Sequence, residues 1–383
     1  MMNYLRSQFL LDPTVTFLNH GSFGATTKPV FDVYQAWQRE LERQPVEFLD
    51  RRFRERMAVS RTALAEYFGT GADNLVYVTN ATVGVNTVAR SLNLGPGDEV
   101  LATDHEYGAC DRTWRFLSQK QGFSYINQSI SLPIISAENF LEQLWQGVTA
   151  RTKVIFLSHI TSPTAIIFPV AEVCRRARAQ GILTLVDGAH VPGQIPLNLE
   201  EIDADFYTGN LHKWLCAPKG AGFLYAQPEV QHLLEPLVVS WGYEAEAPGS
   251  SPFVDYQEWQ GTRDIAAFLS VPAAIEFQRE QAWNWVQVGC HVLALKAEAH
   301  IREITGLPSL YVNEDWFAQM VSVMLPLETD ILALKKYLYE ERRIEVPLMV
   351  WNGKKLIRVS IQGYNSREDV DALITALGAW LGG

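Results

Sequence analysis

The sequence predicts an α/β protein built on a mainly parallel central sheet, with a smaller α+β unit after it. Three observations predict this. Between residues 75 and 186, apolar runs of four to six residues alternate with helix-period segments of ten to thirteen, the pattern of βαβ units. The runs are apolar at successive positions, as suits strands covered on both faces. Beyond about Ser270 that alternation stops and a different mixture of helices and strands follows.

In chain order, residues 29–68 read as one or two charged amphipathic helices interrupted at Pro45. A strand over 75–78 leads to a helix over 82–92. Gly95-Pro96-Gly97-Asp98 turns into a strand at 99–103, followed by a helix over 109–121 and a strand over 123–126. A helix over 137–148 precedes a strand at 153–158, and a helix over 170–180 precedes a strand at 182–186. Gly220-Ala221-Gly222 turns into 223–225, and the Pro/Gly-rich stretch 246–252 is the least ordered-looking part. From residue 270 a long helix is expected, then a strand at 321–325, a helix over 330–342, a strand over 355–361 and a last helix over 366–381. The division that follows is an arm over 1–25, a large α/β domain over 26–265 and a smaller α+β domain over 266–383, with the arm belonging to the smaller domain.

The 383 residues are 48% hydrophobic and 20% charged, which excludes a disordered chain and a small disulfide-stapled scaffold. The net charge of −11 argues against nucleic acid, and the one basic run, Arg51 to Arg56, alternates with acids like the solvated face of a helix. Cys110, Cys174, Cys216 and Cys290 show no metal or disulfide spacing, so reduced thiols, a cytoplasmic setting and no metal are expected. Residues 1–12 lack the apolar core of a signal peptide. The uncharged stretch 154–171 holds Ser158, His159, Thr161, Ser162, Thr164 and two prolines, which a membrane span tolerates poorly.

Parallel sheets bind ligands beyond the C-terminal ends of their strands, and three polar clusters fall there. Asp187 and His190 follow the run 182–186; taken alone, Asp187 equally suits a helix N-cap. Lys213 lies between His212 and Trp214 among apolar neighbours, where desolvation would free its amine. Thr79 to Gly84 are small or hydroxylated residues between a strand and a helix, suited to an anion on backbone N–H groups or to a plain cap. A lysine for an imine, a carboxylate for a ring nitrogen and an anion cradle together fit pyridoxal 5′-phosphate. No GxxxxGK[ST], GxGxxG after a strand, GxSxG or HExxH supports ATP, NAD, serine-hydrolase or zinc-protease chemistry.

DGAHVPG (187–193), DFYTGNLHKWLCAPKGAGFLY (205–225), EWQGTRD (258–264) and LIRVSIQGYNSREDVD (356–371) resemble the class V aminotransferase group of fold-type I pyridoxal-phosphate enzymes. With FLNHGSFG near the N-terminus, the likeness is greatest to isopenicillin N epimerase-like proteins, and it runs from about Phe17 to Val370. The resemblance implies the aspartate-aminotransferase-like fold and a homodimer with shared sites. It implies that Lys213 forms the Schiff base and serves as acid/base at Cα, that Asp187 pairs with the pyridinium nitrogen, and that His190 lies near the ring hydroxyl. Tyr107, or alternatively His105, matches the group stacked on the ring. Ala81, Thr82, Asn210 and His212 would hold the phosphate, with Thr262 reaching it from a neighbouring subunit. Ser162 stands where relatives carry an asparagine at the ring hydroxyl. Arg358 matches the grip on the substrate α-carboxylate, and Asn19 and His20 would line the substrate pocket.

Cysteine desulfurases of this group carry a nucleophilic cysteine on a loop upstream of that arginine; here residues 345–354 are short and hold none. Epimerisation of an amino acid moiety, as the greatest likeness implies, is expected first. C–S lysis and transamination share its opening steps, and a non-catalytic binding protein of this fold is the remote alternative. For an epimerase the second acid is sought at Tyr107 or His20.

Overall fold

A computed structural model of the chain describes residues 2–382. Among them the strands are β1 (Thr16–Phe17), β2 (Leu75–Val78), β3 (Glu99–Thr103), β4 (Ser124–Gln128), β5 (Thr152–Ser158), β6 (Leu183–Asp187), β7 (Phe206–Asn210) and β8 (Gly222–Ala226). They continue with β9 (Met320–Leu325), β10 (Ile344–Glu345), β11 (Leu348–Trp351) and β12 (Lys354–Ser360). Seven strands form the central sheet in the order β2-β8-β7-β6-β5-β3-β4, parallel except for β8, which runs against both its neighbours.

Side chains alternate across this sheet, and both faces are dry. Val154, Phe156, Leu185 and Phe206 pack with Val85, Val88, Trp114 and Leu117 from helices Ala81–Ser91 and Gly108–Gln121. Ile155, Leu157, Val186 and Tyr207 belong to the opposite core, with Met57 and Leu64 of helix Phe53–Tyr67 and Val173 of helix Val170–Arg178. Each fully buried side chain of this size contributes about 1.5–3 kcal/mol. Helix Ala81–Ser91 can lie on the sheet because residue 84 is glycine; a Cβ there would stand 2.1 Å from Thr208 Oγ1.

Parallel pairing brings the ends of neighbouring strands to one edge. Ser158 and Asp187 are register partners, as are Asp187 and Thr208, and Asn210 ends β7. A second, antiparallel sheet, β11-β12-β9, lies under helices Trp283–Thr305 and Arg367–Leu381, the latter opened by a reciprocal cap between Ser366 and Asp369. β1 pairs parallel with β10, and Asn19 bridges to Ser360, so the N-terminal segment is laced to the second sheet.

The structure differs from the sequence reading at a few elements. The long helix expected from residue 270 is two, Val271–Glu280 and Trp283–Thr305, parted where Ala282 takes a left-handed conformation (φ 48°). The short loop expected at 345–354 is a hairpin: Asn352 and Gly353, both at positive φ, form its two-residue turn. Arg56, expected on a solvated face, is buried against Phe48 and paired with Glu40. Residues 154–171 are β5 and the turns after it, and among the described residues no helix is long and apolar enough to cross a membrane.

Candidate active site

At the C-terminal edge of the central sheet lies a cavity of about 350 Å³, lined by Ala81, Thr82, Tyr107, Ser158, Ser162, Asp187, His190, Asn210, His212 and Lys213. Lys213 follows β7 and is buried, with Nζ 3.3 Å from His190 Nε2. Desolvation, reinforced by the nearby Arg358 charge, lowers its pKa to about 7. The backbone around it is clamped. His20 Nε2 donates to the Lys213 carbonyl (3.0 Å), and Lys219 Nζ donates to the Gly24 carbonyl (3.0 Å).

Gly24 (φ 70°) lies so close that a Cβ would stand 2.0 Å from the His212 carbonyl oxygen and 2.8 Å from Lys213 Cα. Gly24→Ala is therefore expected to cost roughly 2–4 kcal/mol of stability, because left-handed strain and overpacking coincide. Thermal unfolding would show the loss, and an unchanged melting temperature would contradict the clamp.

Asp187 ends β6, accepting from the Ala189 N–H (2.9 Å) and facing Cys110 Sγ at 3.5 Å. Burial raises its pKa, and among the described residues it has no salt-bridge partner. Glu106, which sequence reasoning missed, accepts from Thr103 Oγ1 (2.6 Å) and Ser158 Oγ (2.7 Å). Desolvation lifts its pKa to about 7, and the Asp187 charge adds to the shift. It stands three residues past β3 and reaches the cavity only through Ser158, so no motif in the sequence marked it.

The helix Ala81–Ser91 points its N-terminus at the cavity, with Asn80 capping Val83 N–H. Asn210 Oδ1 accepts the Ala81 N–H (2.9 Å), tying β7 to the helix start. Thr82 lines the wall beside them. His212 donates Nδ1–H to the Ala221 carbonyl (3.0 Å), which leaves Nε2 for a ligand.

Arg358 is buried in β12. Its Nη1 donates to the Ser162 carbonyl (2.7 Å) and Oγ (3.0 Å), and its Nη2 to Ser22 Oγ (3.1 Å). Its Nε has no partner, and no carboxylate among the described residues pairs with it. Ser22 and Ser162 line the cavity, so the guanidinium is bonded to two residues of its wall. Ser162, expected at a ring hydroxyl, has its oxygen engaged by Arg358.

Other expected residues sit elsewhere. His20 is sealed from the cavity between Lys213, Tyr364 and Trp214, and desolvation lowers its pKa to about 3, so it neither lines the substrate pocket nor serves as an acid. Asn19 lies one layer back, donating to Glu345 Oε1 (3.0 Å) and accepting from Ser22 Oγ (2.5 Å). His105 is buried against Trp351 and bonded to Thr164, outside the cavity. Tyr107, 46% exposed, lines the outer part of the cavity together with the more exposed Phe23. Thr262 is exposed on the turn before helix Ala266–Leu269 and does not line this chain's cavity.

A model of the family described as Aminotransferase class-V matches residues 24–373. The chain belongs to the class-V aminotransferase family. Isopenicillin N epimerase of Streptomyces clavuligerus is 35% identical, over 98% of this chain and 98% of the relative. The probable chloroplastic L-cysteine desulfhydrase of Arabidopsis thaliana is 28% identical, over 96% of this chain and 83% of the relative. A solved C-DES mutant with glycine covalently linked to its PLP cofactor superposes with a TM-score of 0.83 at 22% identity, over 97% of this chain and 98% of that one. The fold is that of fold-type I enzymes.

The family's cofactor is pyridoxal 5′-phosphate, and the cavity of this member fits it group by group. A buried amine of lowered pKa, a buried carboxylate without a cation and a helix N-terminus facing the same space match its aldehyde carbon, ring nitrogen and phosphate.

Proposed function

We propose that this enzyme epimerises the α-carbon of an amino acid moiety. The observation that carries the reading is that a buried lysine amine lines the cavity while a buried guanidinium, close enough for its charge to act on that amine, is bonded to Ser22 and Ser162 of the cavity wall, neither cation having an acidic partner. The first suits a proton acceptor at Cα, and the second suits a substrate α-carboxylate held by two parallel bonds. The 35% identity to isopenicillin N epimerase supports this choice of reaction.

Bound pyridoxal phosphate withdraws electrons from the substrate's α-carbon and makes its proton acidic. In our reading Asp187 keeps the ring nitrogen charged, and His190 stands at the ring hydroxyl. Ala81, Thr82, Asn210 and His212 receive the phosphate. Arg358 fixes the carboxylate, and Lys213 takes the proton from one face. Tyr107, in the outer part of the cavity, returns a proton from the other. Residues 26–265 form the cofactor domain, and 1–25 with 266–383 form the domain that supplies Arg358. A homodimer brings Thr262 of the second copy to the phosphate; the exposed Leu237, Val238, Val239, Trp241 and Tyr243 support such an interface. Four buried cysteines without disulfides support a cytoplasmic setting.

The test is proton NMR in D2O with L-amino acids, including aminoadipate and sulfur-containing ones. Cα exchange with loss of chirality and no other product is the expected result. Tyr107→Phe is expected to keep exchange on the L-substrate while slowing formation of the D-product about 10²–10³-fold. Equal loss of both would remove Tyr107 from the second proton transfer. A released thiol would favour the second reading, C–S lysis, which the likeness to a cysteine desulfhydrase supports. That lysis would go by elimination, because burial raises the pKa of all four thiols, Cys174, Cys216 and Cys290 to about 12.

A further inference from the structure

Trp214 follows the cavity lysine and is fully buried. Its carbonyl accepts from Gln278 Nε2 (2.8 Å), its ring packs on His20, and Gly193 abuts its backbone, so the indole has one place to be. In that place Nε1 lies 3.3 Å from Nδ1 of His190, while Nε2 of the same ring lies 3.3 Å from Lys213 Nζ. An indole N–H can only donate. His190 Nδ1 must therefore accept, and the ring's single proton must sit on Nε2.

We propose that Trp214 fixes His190 as the Nε2–H tautomer and so aims a hydrogen-bond donor at the free amine of Lys213. The amine can meet that donor only with its lone pair, as a neutral base. A protonated His190 would set Nδ1–H against the indole N–H, so the ring stays neutral, and burial acts in the same direction. Trp214 is thus a positioning residue that acts on Lys213 through His190. Arg358 from β12 also disfavours the ammonium form, whereas Asp187 at the end of β6 and Cys110 from helix Gly108–Gln121 favour it. His20 and His212 flank the lysine as neutral rings, their pKa values lowered to about 3 and about 4 by burial. Among these groups His190 is the one within hydrogen-bond distance of Nζ.

The inference rests on Lys213 being the working amine, but its first test does not depend on turnover. Histidine-selective ¹⁵N spectra of the holoenzyme, assigned with His190→Gln, are expected to show an unprotonated Nδ1 and a protonated Nε2 between about pH 6 and 9, a range set around the ordinary histidine pKa. In Trp214→Phe the other tautomer should become populated. With cofactor removed from the full chain, the pH midpoint for recapture of pyridoxal phosphate should rise by about one unit in that variant, because Nε2 can then accept from the ammonium. A protonated Nδ1 in the wild-type spectrum overturns the proposal. So does a Trp214→Phe variant that leaves both the spectrum and the midpoint unchanged. If the variant does not fold, the wild-type spectrum decides alone. Retained turnover in Lys213→Ala would sink the functional reading and leave the wild-type spectrum untouched, so the two readings fail separately.

Discussion

Lys213→Ala is expected to lower turnover by at least about 10⁴-fold and to abolish borohydride-fixed cofactor on the chain, since both the covalent anchor and the proton acceptor are lost. Desolvation keeps the wild-type amine largely neutral above pH 7, so capture of added pyridoxal phosphate should quicken as pH rises through about 7. An ordinary lysine would need a pH near 10.4 for the same gain, which makes the midpoint diagnostic. Below it the amine takes up a proton, loses its lone pair and slows. Rapid-mixing absorbance across the pH range measures this directly. Turnover in Lys213→Ala within tenfold of wild type would sink the assignment.

Arg358→Lys is expected to reduce kcat/KM by about 10²–10³-fold, chiefly through KM. The guanidinium is held by Ser22 and Ser162 in a fixed fork, and a lysine ammonium cannot reproduce two parallel bonds to a carboxylate. Steady-state kinetics on a substrate and on its α-amide would separate binding from collapse of the wall. Wild type should prefer the acid strongly, and the variant should lose most of that preference. If both enzymes discriminate equally, the carboxylate binds elsewhere.

Much of this was legible without coordinates, for stated reasons. β3 and β5 are apolar at successive positions and bounded by turn signals, so their registers on a covered sheet leave few alternatives. Lys213, Asp187 and Arg358 sit in motifs whose chemistry is specific. β7 was harder to see, because Gly209 and Asn210 are poor strand formers at the end of a five-residue run. The hairpin at 348–360 had a signal, Asn352-Gly353 between apolar runs. The break at Ala282 had none, since neither glycine nor proline marks it. Histidines misled most. A histidine's neighbours in sequence do not reveal which layer it occupies, and His20 and His105 both lie behind the wall they were expected to line. Glu106, Ser22 and Trp214 acquire their roles only through contacts with distant residues.

The lacing of residues 16–24 has a consequence for how the enzyme is made. His20 clasps the lysine turn, yet it is itself held by Tyr364, and its neighbour Asn19 bridges to Ser360. On the ribosome the sheet bearing Lys213 can form while β12 is still unsynthesised. At about 5–20 residues per second, the roughly 150 residues between them take about 7–30 s to appear. During that interval His20 lacks the Tyr364 hydroxyl that holds it in place, and the nascent chain has no Arg358. Stable cofactor capture therefore belongs to the released chain, and a translation product that stops short of residue 360 would carry the lysine without a closed site.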